Sequence, residues 1–197
     1  KIFLTALCCL FVLFSVTAQE GMWLLTQTGQ LDLAKKGLKI PVEDVYSPGK
    51  PCVANAVVQL GGGTASFISP EGLLITNHHV AYTALQRSSS VNSDFLTNGF
   101  LARTRADEIR APGYRARLLT EMKDVTGEVL SVTKGITDPV EKDRKVNEKI
   151  AAMTEAVSNE QSDLEAEVVP MFNGKQYILF IHRVFKDVRI VYSPPLS

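Results

Sequence analysis

The chain is poor in the residues that mark several functional classes. It has three cysteines, three histidines and one tryptophan in 197 residues. Two of the cysteines, Cys8 and Cys9, lie in an apolar leader. Only Cys52 remains beyond it, so no disulfide can form within the rest of the chain. Charge of one sign is also lacking: 21 basic residues balance 21 acidic ones. No global field draws nucleic acid or an anionic membrane, and no nucleic-acid-binding motif is present. The histidines are His78, His79 and His182, with no HExxH or paired-cysteine spacing, which argues against zinc. Gly61-Gly62-Gly63 lacks the Lys-Ser/Thr that completes a phosphate loop, and no cofactor is expected. The glycines suit a bend or a close approach of backbone between strands. The longest apolar run, Ile2 to Val16, is about 15 residues, short of the roughly 20 that cross a bilayer.

What is present begins with that run. Lys1, the apolar stretch and the small residues of Val16-Thr17-Ala18 form the pattern of a secretory signal peptide. Cleavage is expected after Ala18, and the protein is expected to be exported, periplasmic or at the cell surface. Hydrophobic residues make up 45% and charged residues 21%, an ordinary globular composition. The length suits one large domain, or one domain and a fragment.

The organising stretch runs from Gly61 to Tyr82. Thr64 to Ile68 and Leu73 to Thr76 read as strands joined by Ser69-Pro70-Glu71-Gly72, a type I turn signal. The chain then leaves the sheet at Asn77-His78-His79. A histidine at a strand end stands on a stiff scaffold and can face a cleft, as a general base must. Ahead of this stretch, Trp23 is expected to seal the core, residues 29–38 to form a short helix stopped by Gly37, Pro41 to Ser47 a loop or single helical turn, and Cys52 to Leu60 a core strand.

After the histidines, a short helix is expected over Ala81 to Gln86, and an ordered loop over Ser88 to Ser93. Strands are expected over Tyr114 to Leu119 and Lys123 to Thr133, with a turn at Pro112-Gly113. From Asp138 to Val168 apolar residues fall at helical intervals, and Asp138-Pro139 with Glu141 is a helix start. This segment reads as one helix, or two broken near Ser158-Asn159. Asn173-Gly174 signals a two-residue hairpin turn, followed by strands over Gln176 to Phe185 and Val188 to Tyr192. His182, inside a strand, reads as structural.

Four ordered blocks carry a resemblance: GMWL, LGGGTASFISPEGLLITNHHVAY, SSSVNSDFLTNGF and NGKQYILFIHRVFKDVRIVYSPP. Together they resemble the amino-terminal part of the exported bacterial dipeptidyl-peptidase 7/11 family, chymotrypsin-like serine exopeptidases with a double β-barrel and a large helical insertion. The resemblance implies a mostly β fold with α: residues 19–197 are the truncated amino-terminal part of the peptidase domain, an incomplete double barrel that comprises the first barrel lobe, the helical segment at about 138–168 and the hairpin at 171–194. It implies release of dipeptides from peptides with a free amino terminus, and it places the general base on His79, with His78 a neighbour. In that family the catalytic Asp and Ser lie beyond the positions matching this chain, so the chain is expected to be a fragment, inactive on its own. The full-length protein could form a homodimer.

The family usually has cysteine where this chain has Thr64 and Val80, which implies a lost disulfide. A bridge closing about 15 residues is worth roughly 3 kcal/mol on the entropy model, so packing must hold the hairpin instead. The rival reading is a catalytically inactive trypsin-like peptide-binding module. Asp124, 45 residues after His79, is the acid that a generic trypsin-like pattern nominates, but the resemblance puts the acid later. Ser66 and Ser69 read as ordinary polar positions.

Overall fold

A computed structural model describes residues 21–196; the expected leader lies outside them. The chain divides into two compact units, Lys1–Leu38 and Lys39–Ser197. The described part of the first unit holds a 3-10 helix, Leu25–Gln30. The helix expected over residues 29–38 does not form. The Gln27 side chain accepts the Leu24 N–H at 3.1 Å and the Thr28 hydroxyl donates to the Leu25 carbonyl at 2.7 Å, so the turn starts earlier in the chain. Trp23 is not sealed into a core: 40% of its surface is exposed.

The second unit is built on a six-stranded antiparallel sheet. Its strands are β1 (Val57–Leu60), β2 (Gly63–Phe67), β3 (Leu74–Thr76), β6 (Ala116–Asp124), β7 (Leu164–Met171) and β8 (Gln176–Phe185), in the order β3-β2-β1-β6-β8-β7. β3 and β7 stand at its edges, so among the described residues the sheet is open and not a closed barrel. Two small two-stranded sheets pair β4 (Phe100–Leu101) with β10 (Tyr192–Ser193), and β5 (Ile109–Arg110) with β9 (Arg189–Ile190). The helices are α1 (Val42–Val45), α2 (His78–Ser88), α3 (Phe95–Asn98), α4 (Thr126–Ser131) and α5 (Pro139–Glu160). The architecture is therefore mixed helix and sheet.

Several elements form where local chemistry points. In α5 the Asp138 carboxylate accepts the N–H groups of Val140 and Glu141, with Pro139 at the first helical position. Val146, Ile150, Met153 and Val157 line one face and pack on a core of Val125, Val129, Tyr177, Leu179 and Ile181. Full burial of such a side chain is worth about 1.5–3 kcal/mol, and these four, partly buried, each contribute a share of that. The Arg144–Glu148 pair on the other face is exposed and screened by solvent, so the apolar stripe decides where the helix sits.

Other expectations are corrected. Only Val57–Leu60 of the predicted core strand over Cys52 to Leu60 forms a strand. Val53–Ala56 is a 3-10 turn, because Asn55 accepts the Cys52 N–H at 2.9 Å and lies 3.2 Å from its sulfur. The strand predicted over Lys123 to Thr133 ends at Asp124 and becomes α4. The Asp124 carboxylate accepts the Thr126 N–H, and Val125 and Val129, four residues apart, both turn into the core. The helical segment expected to reach Val168 stops at Glu160 without a break at Ser158. Residues 164–168 instead pair with β8 in β7. The β7–β8 hairpin forms, but through the four residues 172–175: Phe172, Asn173 and Gly174 all have positive φ (51, 56 and 76°), and Met171 faces Gln176. Val188 to Tyr192 is split between β9 and β10.

His182 is buried on β8 at 9% exposure, 3.4 Å from Arg117 through Nδ1. Glu165 and Glu167 stand nearby as ion-pair partners of Arg117. Burial, then the Arg117 charge, holds the His182 imidazole below its ordinary value of 6.5, against the weaker opposite pull of the two glutamates. Above that value the ring is neutral in both folded and unfolded chains. As pH falls below it, the unfolded chain takes up a proton that the folded chain resists, so stability is lost. His182→Gln should therefore lose less in melting temperature between pH 7.5 and about 5.5 than the parent chain does; an equal loss would show that another group governs this range.

Candidate active site

The site begins with the β2–β3 hairpin. The Gly72 N–H donates to the Ser69 carbonyl at 3.3 Å and the Ile68 N–H to the Leu73 carbonyl at 2.9 Å, which closes the predicted four-residue turn. The Ser69 Oγ accepts the N–H groups of Glu71 and Leu73, and the Ser66 Oγ donates to a neighbouring carbonyl. Both serines hold local backbone, as expected. The Thr76 hydroxyl donates to the Thr64 carbonyl at 2.7 Å and fixes the end of β3.

The next residue, Asn77, starts α2. Its backbone carbonyl accepts the N–H groups of Val80 and Ala81, and His78 and His79 become the first two helical residues. The helix therefore starts three residues earlier than the sequence pattern suggests. The adjacent rings diverge by a helical step of about 100° and do not point to opposite faces of a strand. Both histidines are exposed. The His78 ring stands edge-on to Tyr82 with centroids 5.8 Å apart.

Three contacts hold this turn. Ala84 and Leu85, both 2% exposed, anchor α2 in a core with Ala111 and Ile190. Val80 packs on the Val58, Leu60, Ala65 and Ala116 core. It also lies against bare backbone: a Cβ placed on Gly63 would collide with the Val80 Cγ2 methyl and come within 3.1 Å of Cγ1. Finally, the Tyr114 hydroxyl donates to the Val80 carbonyl at 2.7 Å. The approach expected at the glycine run is between strands; at Gly63 the approaching group is instead a helix side chain. Residues 63 and 80, beside and at the two positions where the resembled family carries cysteine, meet by packing.

A cavity of about 1010 Å³ opens beside the hairpin, between β2–β3, α2 and the strip from Phe185 to Pro194. Leu60, Phe67, Leu74, Leu85 and Ile190 give it apolar walls; His78 lines it, whereas the neighbouring His79 does not. Its rim carries Asp187 and Arg189, paired at 2.8 Å, and the Arg189 guanidinium holds the Asp187 carboxyl below its usual range. The blocks read separately in the sequence converge here. β4 pairs with β10, and Gly99 lies so close to the Ser193-Pro194-Pro195 backbone that a Cβ would sit 2.7 Å from the Ser193 oxygen.

Among the described residues no serine, cysteine or carboxylate is hydrogen-bonded to either His78 or His79. Asp124 is hydrogen-bonded away from both rings. Its oxygens accept Thr126 N–H at 2.9 Å and Gln176 Nε2 at 2.7 Å, and those bonds lower its pKa. The half-buried Cys52 contacts Asn55. The sequence pattern missed Tyr114, although the Pro112-Gly113 turn was a usable signal for its placement.

Comparison with known proteins gives concordant results. A family model described as Peptidase S46 matches residues 18–197. Dipeptidyl-peptidase 7 of Porphyromonas gingivalis is 39% identical over 184 residues, covering 91% of this chain and 26% of that protein. The Asp/Glu-specific dipeptidyl-peptidase of Flavobacterium psychrophilum is also 39% identical, over 190 residues, covering 94% and 26%. Among solved structures, Porphyromonas endodontalis DPP11 in complex with substrate matches with a TM-score of 0.78 at 32% identity, covering 89% of this chain and 27% of that one. The chain spans about a quarter of the length of the curated relatives it matches.

The Val80–Gly63 contact makes a prediction. Gly63→Ala should destabilise the unit by about 1–3 kcal/mol through overpacking. Adding Val80→Ala should recover part of that loss, as a double-mutant cycle in urea denaturation would measure. Strict additivity of the two losses would mean that these side chains do not meet.

Proposed function

Because this chain belongs to the peptidase S46 family, we propose that the full-length protein is a serine-type dipeptidyl-peptidase releasing dipeptides from the free amino end of peptides. His79 is its general base. The imidazole takes the proton from a serine Oγ as that oxygen attacks the carbonyl carbon of the second peptide bond, then gives it to the departing amine. Water, deprotonated by the same ring, hydrolyses the acyl-enzyme. The serine and the orienting carboxylate come from polypeptide outside this chain, so the chain alone is inactive. In this reading the open sheet is one lobe of a chymotrypsin-like double barrel, completed by the remaining polypeptide, and the protein is exported.

What supports the reading most is an exposed imidazole on the first turn of a helix packed onto the hairpin that precedes it, in a family of dipeptide-releasing enzymes. We propose the reaction and no side-chain preference, since a relative named Asp/Glu-specific and one whose name carries no preference match at the same 39% identity.

The test is direct. In the full-length protein His79→Ala should lower kcat/KM for dipeptide release from an unblocked peptide by about 10⁴-fold, with folding unchanged by circular dichroism. His78→Ala should retain most activity. Turnover that survives His79→Ala overturns the assignment.

A further inference from the structure

We infer that Tyr114 is a positioning residue for His79, an inference that rests on the general-base reading above. The first turn of α2 needs an external tie. Asn77, a residue type that often caps helices, makes no side-chain cap bond here. Among the described residues, one side-chain hydrogen bond reaches the backbone of that turn: Tyr114 Oη to the carbonyl of Val80, at 2.7 Å. A carbonyl has two lone pairs, so it accepts the phenol in addition to its helical partner. The residue so held is the immediate neighbour of His79.

Tyr114 is itself held from several sides. Ala111, Pro112, Gly113 and Tyr114 form a tight turn with the Tyr114 N–H donating to the Ala111 carbonyl at 3.1 Å. Gly113 has φ of +82°, as the third position of a type II turn requires, after proline at the second. Ala111 is buried at 6% and its N–H donates to the Val188 carbonyl at 2.9 Å. The Tyr114 ring lies over Gly61, where a Cβ would touch it at 3.4 Å. The ring therefore bridges the β1–β2 turn, the 111–114 turn and the start of α2. Tyr114 also lines the cavity, so a shift of this tie moves the turn that carries the base, whereas a change that keeps the ring keeps that stretch of wall. Misplacing a catalytic group by about 1 Å costs up to about 10²-fold in rate.

The experiment uses the full-length protein and an unblocked peptide, with rates expressed per active site titrated by a fluorophosphonate. Tyr114→Phe removes the hydroxyl and keeps the ring. We expect kcat to fall by about tenfold or more with KM within about twofold, and the acid limb of the kcat/KM profile to move as the imidazole environment changes. Gly113→Ala, which keeps the phenol and strains the turn, should shift both readouts in the same direction. A Tyr114→Phe enzyme with unchanged kcat per active site and an unmoved acid limb overturns the inference, even if its melting temperature falls. If His79→Ala stops turnover and Tyr114→Phe does not slow it, this inference alone fails. If His79→Ala leaves turnover intact, the general-base reading fails and takes this one with it.

Discussion

The position of the two histidines depends on one packing contact, the Val80 side chain seated on the bare backbone of Gly63. The contact needs glycine on one side and a branched aliphatic group on the other. It brings the first turn of α2 down onto β2, so the chain must leave β3 at Thr76 and wind at once into a helix. Everything around the candidate site follows from that docking. Ala84 and Leu85 reach their core, and the Val80 carbonyl comes within reach of Tyr114. The exposed imidazoles stay on the outside of the turn.

The sheet supplies stiffness behind that junction. β8, ten residues long, pairs along its length with β6 on one side and β7 on the other. Its Leu179 and Ile181 belong to the core that α5 covers. β1 links β6 to the hairpin that carries the histidines. Two cores, one under the long helix and one under the hairpin, thus share a single antiparallel framework. The long helix α5 and the histidine-bearing turn are parts of one unit.

Local signals in the sequence were legible wherever the deciding interaction is itself local. The Ser69–Gly72 turn, the Asp138 cap and the full extent of β8 could be read directly. Signals failed where a single side chain outbids propensity: Asn55 winds Val53–Ala56 into a 3-10 turn, and Asp124 ends β6 and starts α4. They also failed where a distant partner decides, as when residues 164–168, rich in glutamate and alanine, become a strand because β8 offers an edge. At the site, the histidine pair was visible because its residues are adjacent. Tyr114 was not, since its partner Val80 lies 34 residues away and no spacing rule connects them. The barrel closure implied by resemblance was not legible either: among the described residues β3 and β7 have only one neighbour each.

The means of attachment between the hairpin and α2 sets what the junction responds to. Val80 methyl groups rest on glycine main chain, so the hairpin and the helix are joined here by shape and apolar contact. The junction answers to volume and temperature, because the force that seats Val80 is apolar contact, which weakens on cooling and vanishes if either surface changes shape.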